Sequence, residues 1–495
     1  MIEPAFSSPP SPSTPARPAV ARAATRPPLV VDLDGTLTLT DTLAESVMRL
    51  LKRNPLYLFA LVAWLVAGRA QFKQRVAAHV TLEMASLPWH DELIAYLRTE
   101  RATGRRIVLA TAAHRSIADA AAKHLDLFDS VLATADGNNL KGARKLEQIE
   151  RQVGRPFVYA GDSAADLVIW EKAQAAVVVG ASAAVRRALR VPVEQAWAAP
   201  QRDLRLWLGA LRVHQWVKNL LIFVPLFTAV AFGDLHKSLA ACGAFLAFSL
   251  AASATYIGND LWDLDSDRVH PRKRFRAFAS AQLPITHGIA AAALLLGSAL
   301  VLALAVAPAF AAMLVGYIVI TTAYSWTLKR YVVLDVITLA MLYTWRVLAG
   351  SVAVAVVVTP WLLAFSLFTF LSLALVKRCA ELVALQQAGR TAAHGRDYQV
   401  RDLVVLWPLG VGASLCSVVV FGLYIGSPGA ESQYANTQLL WLVGVGLMYW
   451  IARLWVKTAR GEMHDDPLVF ALRDRGSRLA VLSMVAVTLA AQWIG

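Results

Sequence analysis

Beyond about residue 220 the chain keeps returning to long apolar runs, and that repetition constrains its fold more than any single motif. The runs lie near 220–232, 238–257, 287–306, 309–326, 332–353, 360–376, 403–425, 437–455 and 477–494. A bilayer offers backbone N–H and C=O groups no partner, so such runs must close their hydrogen bonds within themselves, as helices. The expectation is an all-α polytopic membrane domain of about nine spans, some of them short. Lys and Arg gather in 258–284, 327–331, 377–402 and 453–478, whereas the alternate connections near 233–237, 307, 355 and 426–436 hold only Lys237. One-sided charge of this kind places the charged connections on the cytoplasmic side. It also accounts for much of the net charge of +14, so no nucleic-acid partner is expected. Cys242, Cys379 and Cys416 show no metal-type spacing and read as small buried hydrophobes. Trp361, Trp441 and Trp455, near span ends, read as interface anchors.

One polar stretch interrupts the apolar runs. Asn259 is followed by Asp260, Asp263 and Asp267, at i, i+3 and i+7. On a continuous helix those offsets share a face. Three carboxylates on one face repel each other unless a cation sits between them. Hard oxygen ligands suit Mg²⁺, which binds through few carboxylates together with substrate phosphates. A cationic block follows, Arg272, Lys273, Arg274 and Arg276. Acids to hold a metal, then cations to hold phosphate, are what a diphosphate site needs. The plain alternative, a solvated charged loop, requires no such spacing.

Up to about Gln201 the chain reads as mostly soluble. Residues 1–28 are rich in Pro, Ala and Ser without an apolar core, and a disordered tail is expected there. Leu29-Val30-Val31 then forms a short apolar run leading into Asp32-Leu33-Asp34-Gly35-Thr36. Two acids two residues apart at a strand end can serve one site, one as nucleophile and one as proton donor or acceptor. A second apolar run, Ile107 to Ala110, ends in Thr111. A third, Phe157 to Ala160, leads into Gly161-Asp162 and Asp166, and Lys145 lies between the two. Strands alternating with helical stretches argue a parallel α/β sheet with ligands at the strand C-termini.

These residues resemble the four motifs of the haloacid dehalogenase superfamily, in order, over about 29–193. The resemblance implies a Rossmann-like fold in which Asp32 is the phosphorylated nucleophile and Asp34 the general acid/base. Thr111 and Lys145, with Lys141 as an alternative to Lys145, would hold phosphate. Asp162 would complete a Mg²⁺ site with Asp32 and Asp34, supported by Asp166. Residues of about 37–97 look like the helical cap of the phosphoserine-phosphatase-like branch. Within them 55–68 is too short to span a bilayer and too apolar for an ordinary surface helix. It reads either as a membrane-leaning surface that admits a lipid substrate or as a buried cap helix. A linker and interfacial helix, basic and Trp-containing, are expected over 194–218.

The Asp260–Asp267 stretch after the second apolar run resembles the UbiA-type intramembrane prenyltransferase superfamily, over about 219–495. Separated features look closer to its decaprenyl-phosphate phosphoribosyltransferases: Gln215 to Asn219, His270 to Arg276, Tyr324 with Lys329 and Asp335, Arg346, Gly350, Lys377-Arg378-x-x-Glu381, Asp466-Pro467 and Asp474. Ala277 and Ala281 stand where Pro and Gly would be expected. The resemblance implies a donor, 5-phosphoribose 1-diphosphate, and an acceptor, polyprenyl phosphate. Asp260, Asp263 and Asp267 would hold Mg²⁺. Asn259, Lys273, Arg274, Arg276, Tyr324, Asp335 and Arg346 would bind substrate, with Lys329 and Lys218 on either phosphate. Arg346 could instead be half of a structural pair, with Glu381 the better partner. Glu381 reads as a helix-end charge pair, and Asp466 and Asp474 as caps or gates. The implied whole is a two-domain enzyme of the bacterial inner membrane that joins transfer to phosphomonoester hydrolysis and is compatible with a homo-oligomer. The rival reading is prenyl transfer to an aromatic acceptor, with a regulatory or unrelated phosphatase domain.

Overall fold

The computed structural model describes residues 26–135, 139–199, 203–392, 396–463 and 466–494. The expected tail falls outside them up to residue 25. The chain forms two compact units, 1–201 and 202–495.

In the first unit the order is β1 (Leu29–Val31), α1 (Thr42–Arg53), α2 (Tyr57–Val66), α3 (Arg69–His79), α4 (Asp91–Ala102), β2 (Ile107–His114), α5 (Arg115–Leu125), β3 (Ser130–Thr134), α6 (Ala143–Gln152), β4 (Val158–Gly161), α7 (Leu167–Trp170), β5 (Ala175–Val179), α8 (Ala183–Ala188) and β6 (Val193–Trp197). All strand pairs are parallel, in the order β3-β2-β1-β4-β5-β6. Leu29, Val30 and Val31 are fully buried, because a central parallel strand is covered on both faces. The strand order reverses at β1, so the crevice beyond its C-terminal end is where a doubly wound sheet takes its ligand.

Residues 194–197, expected to open the linker, instead complete the sixth strand, Val193–Trp197. Val193 to Ala196 are exposed, so this edge strand lacks the apolar run by which the inner strands are read. The cap is α1 to α3. Leu61 packs in a small cluster with Leu50 and Val76. Tyr57 and Trp64 pack against that cluster, but most of α2 turns outward: Phe59 is 74% and Val66 85% exposed. The reading of 55–68 as a buried helix therefore does not hold.

The second unit is helical: α9 (Leu204–Leu211), α10 (Val224–Thr228), α11 (Leu235–Trp262), α12 (Leu264–Val269), α13 (Ile285–Val306), α14 (Pro308–Trp326), α15 (Leu334–Val354), α16 (Pro360–Gln387), α17 (Leu403–Ile425), α18 (Pro428–Gln433), α19 (Leu440–Ala459), α20 (Pro467–Arg473) and α21 (Arg475–Trp493). Among the described residues seven helices are long and apolar enough to cross a membrane: α11, α13 to α17 and α19. The chain is thus an integral membrane protein. Two of the nine expected runs do not join this count. Residues 213–233 are broken into a 3-10 segment, Val213–Phe223, then α10, then a further short turn. The last run is α21, 19 residues long and packed on α19.

Close backbone approach holds the 3-10 segment in place. A Cβ on Gly350 of α15 would lie 2.1 Å from the Ile222 carbonyl oxygen. Trp455 is not an interface anchor. It is buried and donates to Ser414 at 2.9 Å, whereas Trp361 and Trp441 are exposed. Cys379 is buried as expected, but Cys242 and Cys416 face outward.

Candidate active sites

In the first unit the chain leaves β1 and sets Asp32 and Asp34 in the crevice. Asp32 N–H donates to the Ala160 carbonyl at 3.0 Å, which ties the turn to β4. Gly35 follows in the left-handed region with φ of 76°, and a Cβ there would lie 2.5 Å from Asp162 Oδ2. A glycine is required on both counts. Lys145, in the first turn of α6, is buried and donates to Asp32 Oδ2 at 2.7 Å and to the Tyr159 hydroxyl at 3.1 Å. Lys141 is exposed, so Lys145 is the lysine brought to Asp32. Thr111 is fully buried on β2, and its hydroxyl accepts from Ala113 N–H at 3.0 Å.

Asp166 braces the loop. Its carboxylate accepts from Tyr159 at 2.9 Å and from the Ser163 N–H and hydroxyl, each at 3.0 Å. Asp34 accepts from the Thr42 N–H at 2.8 Å, so the first cap helix starts on this carboxylate. Burial, with Asp41 nearby, pushes the Asp34 carboxyl up to about 7. Burial, then Asp166 and Asp32, does the same to Asp162. Burial raises Asp32 too, against the pull of Lys145.

Asp32, Asp162 and Asp166 bring ligand oxygens within 4.8 Å of one another, the one such trio of metal-ligand groups among the described residues. Crowded carboxylates, two of them, Asp32 and Asp162, with raised pKa values, are the donor set a divalent cation would relieve, so these residues fit Mg²⁺. Sequence reasoning missed Lys73. From α3 it donates to the Ala112 carbonyl at 2.8 Å and to Asn139 Oδ1 at 3.0 Å, beside Thr111. No local pattern marks it; only the folding of the cap over the sheet brings it there.

In the second unit the predicted residues separate into neighbouring groups. The helix bearing the aspartates ends at Trp262, and Asp263 sits at its C-cap with φ of −93° and ψ of 9°. The break defeats the shared face expected of i, i+3 and i+7. Arg276 bridges Asp260 and Asp267, at 3.2 and 2.6 Å, and Arg212 meets Asp260 at 2.6 Å. Asp260 opens on a crevice of about 390 Å³ beside α9. Asp263 opens instead on a cavity of about 970 Å³ that also takes Lys273, Lys329, Arg330, Arg396 and Asp397. Three charged connections therefore meet around one cavity.

Arg396 and Asp397 were missed, because nothing near them in sequence resembles the aspartate stretch. Asp267 Oδ1 is buried without a hydrogen-bond donor, and Lys273 stands 3.6 Å from it. An orphaned buried carboxylate oxygen next to Asp260 fits a cation there. Burial lowers the Lys329 ammonium from its usual range. Arg274 is exposed and stacks on Phe275, 4.8 Å from its ring centre. Asn259 donates to Ser325 at 3.4 Å.

Other assigned residues lie away from that cavity. Asp335 is fully buried, accepts from Tyr324 at 2.8 Å and pairs with Arg378 at 2.6 Å. Neither Asp335 nor Tyr324 lines the cavity, so each supports the site rather than facing it. Glu381 pairs with Arg378 and, at 2.9 Å, with Arg396, as a helix-end charge cluster. Arg346 pairs with neither acid. It donates to Asn219 at 2.9 Å, the Tyr317 hydroxyl at 2.7 Å and the Leu342 carbonyl at 2.6 Å. Lys218 meets Asp466 at 2.8 Å. Asp466 and Asp474 cap α20 and α21.

A model of the haloacid dehalogenase-like hydrolases matches residues 29–169. One of the UbiA prenyltransferase family matches residues 220–473. The uncharacterized protein y4nM of Sinorhizobium fredii is 38% identical over 458 residues, covering 91% of this chain and 88% of its own. The nodulation protein NoeC of Azorhizobium caulinodans is 33% identical over 288 residues, 58% of this chain and 93% of its own. A decaprenyl-phosphate phosphoribosyltransferase of Mycobacterium tuberculosis is 31% identical over 292 residues, 58% of this chain and 94% of its own. The chain therefore belongs to the UbiA prenyltransferase family and carries, N-terminal to that membrane domain, a haloacid dehalogenase-like hydrolase domain.

Proposed function

We propose that the membrane domain transfers the 5-phosphoribosyl group from 5-phosphoribose 1-diphosphate to a polyprenyl phosphate, and that the first unit then removes the 5-phosphate. The observation that carries this reading is the cation surplus around the large cavity, where Lys273, Lys329, Arg330 and Arg396 face Asp263 and Asp397. A donor bearing a diphosphate and a separate phosphate needs such a surplus; an aromatic acceptor does not. The name of the mycobacterial relative, decaprenyl-phosphate phosphoribosyltransferase, points the same way.

An acceptor phosphate oxygen forms the bond to the anomeric carbon as the bond to diphosphate breaks. The acceptor is already anionic, so no general base is required. Lys273 and Lys329, which line that cavity, clamp the donor phosphates, with Arg276 beside them on Asp260 and Asp267. Asp260 and Asp267, with Asp263 across the helix end, would hold Mg²⁺, whose chemistry here is to neutralise the charge of the leaving diphosphate. The lipid tail lies between apolar helices, and a cavity of about 360 Å³ lined by Val224, Trp361, Phe365 and Phe421 offers it room.

In the first unit Asp32 attacks the 5-phosphate phosphorus and the ribose oxygen leaves with the proton of Asp34. Water then attacks the phosphoryl-Asp32, giving its proton to Asp34, and inorganic phosphate departs. A carboxyl at about 7 suits that exchange near neutral pH. Asp32, Asp162 and Asp166 would hold Mg²⁺, whose charge lets an anionic nucleophile approach an anionic ester. Lys145 and Thr111 orient the phosphoryl group. The outward apolar face of α2 is the surface by which a lipid-borne substrate approaches. Both sites face the cytoplasm across the bacterial inner membrane, following the charge of the connections.

The test uses purified full-length protein with radiolabelled donor, polyprenyl phosphate and Mg²⁺, with lipid products resolved. Wild type yields the dephosphorylated ribosyl lipid, and Asp32→Asn accumulates the phosphorylated one. Asp260→Asn and Asp263→Asn yield neither while still hydrolysing a small phosphoester. If Asp32→Asn and wild type gave the same lipid, the sequential reading would fail.

A further inference from the structure

We propose that Lys218 and Lys377 form the seat for the phosphate of the lipid acceptor, and that the Asp466 carboxylate holds that seat until the phosphate displaces it. The inference rests on the acceptor named above and adds where its head group binds and what it must exchange with.

One oxygen carries the observation. Asp466 Oδ2 accepts from Lys218 Nζ at 2.8 Å, from Lys377 Nζ at 3.4 Å and from the Tyr343 hydroxyl at 3.4 Å. The donors come from the 3-10 segment 213–223, from α16 and from α15, so three parts of the bundle converge on one anionic atom. That atom is supplied by a short connection and not by a spanning helix. Lys218 and Asp466 are only 12% and 9% exposed, and Lys377, at 38%, keeps the seat open on one side.

The charges do not balance. Two ammonium groups meet one carboxylate. Arg346, buried and 5.6 Å from the Tyr343 ring centre, adds a third cation whose hydrogen-bond partners Asn219, Tyr317 and Leu342 are neutral. Charge in excess at a largely buried site is costly unless an anion answers it, and here the buried excess lies on Lys218 and Arg346. A phosphate monoester brings about −1.5 to −2 charges near neutral pH and three acceptor oxygens. It matches the three donors on Asp466 Oδ2 better than a carboxylate does.

Position separates this seat from the donor's. None of Lys218, Tyr343, Lys377 and Asp466 lines the cavity around Asp263 and Lys329. Asp335 is in the first turn of α15, and Tyr343 lies about 12 Å from it along that helix, at 1.5 Å per residue. There the Tyr343 ring stacks on Phe370 at 5.3 Å, and Leu221 and Val224 pack in the same core. An anion at this depth, among apolar side chains, is the head group of a molecule whose remainder lies between helices.

Asp466 is suited to competing and to leaving. Burial would raise its carboxyl, but Lys218 and Lys377 hold it at about 2, so it is a full anion. Its other oxygen accepts from the Leu468 N–H at 3.2 Å, capping the seven-residue α20. Release therefore moves one turn and leaves the spanning helices in place.

The experiment measures binding to the full-length protein in detergent, with no donor present. The probes are a short-chain polyprenyl phosphate, the matching polyprenol and inorganic phosphate. Asp466→Asn keeps the cap and the shape but removes the charge. For a seat that the carboxylate fills about nine-tenths of the time, freeing it tightens polyprenyl phosphate about tenfold, and tightening of that order is the expected result. Lys377→Gln weakens it, donor affinity stays unchanged in Asp466→Asn, and polyprenol and inorganic phosphate bind far more weakly than the lipid phosphate. A structural role alone would leave acceptor binding in Asp466→Asn unchanged or weaker, which would overturn the exchange. So would inorganic phosphate binding as tightly as the lipid. Wild type without saturable binding of polyprenyl phosphate would overturn the acceptor reading itself, and this proposal with it.

Discussion

Replacing Asp335 by Asn isolates the energetics of the buried pair that supports the second unit's site. Asp335 and Arg378 have fully buried side chains 2.6 Å apart. The amide keeps the shape and can still accept from Tyr324, but it leaves the Arg378 guanidinium without its main counter-charge. Breaking a buried pair by removing one partner costs about 3–5 kcal/mol. Glu381 still meets Arg378, but it is 36% exposed and shared with Arg396, which places the loss near the lower end, about 3 kcal/mol. Removing both charges, in Asp335→Asn with Arg378→Met, leaves no orphan. That double variant should recover about 2 kcal/mol relative to the sum of the single changes. The assay is unfolding of the full chain in mild detergent by added SDS, followed by the helical far-ultraviolet signal. Asp335→Asn within about 1 kcal/mol of wild type, or strict additivity in the double variant, would refute the reasoning.

Ala281 sits in the left-handed region with φ of 56°, so Ala281→Gly should stabilise the chain by about 0.5–1 kcal/mol in the same assay. With divalent metal chelated, stability of the first unit should fall as pH rises from about 4 to about 7. Folded Asp34 and Asp162 keep their protons up to about 7, whereas the unfolded chain releases them near 4. Added Mg²⁺ should flatten that slope, as read by thermal unfolding across a pH series. A cysteine in place of the exposed Ser266 should resist an impermeant thiol reagent on intact cells and react in inverted vesicles.

Much of the two sites was legible because it is local. Asp32 and Asp34 follow a three-residue apolar strand directly, and a buried parallel strand delivers whatever follows it to the sheet's C-terminal edge. The spanning helices were legible because a bilayer permits few alternatives to a continuous apolar helix. Edge strand β6 was not, since its exposed residues carry no apolar pattern. Nor was the separation of Asp263 from Asp260 and Asp267, because helix spacing predicts a face only while the helix continues, and α11 stops at Trp262.

By itself, then, the sequence determined which carboxylates and cations each unit carries, and which connections between the apolar helices are the charged ones. Tertiary structure alone decided the partners. Lys218 meets Asp466 across 248 positions, and Lys145 meets Asp32 across 113. Arg396 and Asp397 enter the cavity opposite Asp263, and Lys73 reaches in from the cap. A carboxylate's role depends on whether it faces solvent, a cation or an apolar wall. Those neighbours are set by which helices pack together, which no local run of residues encodes.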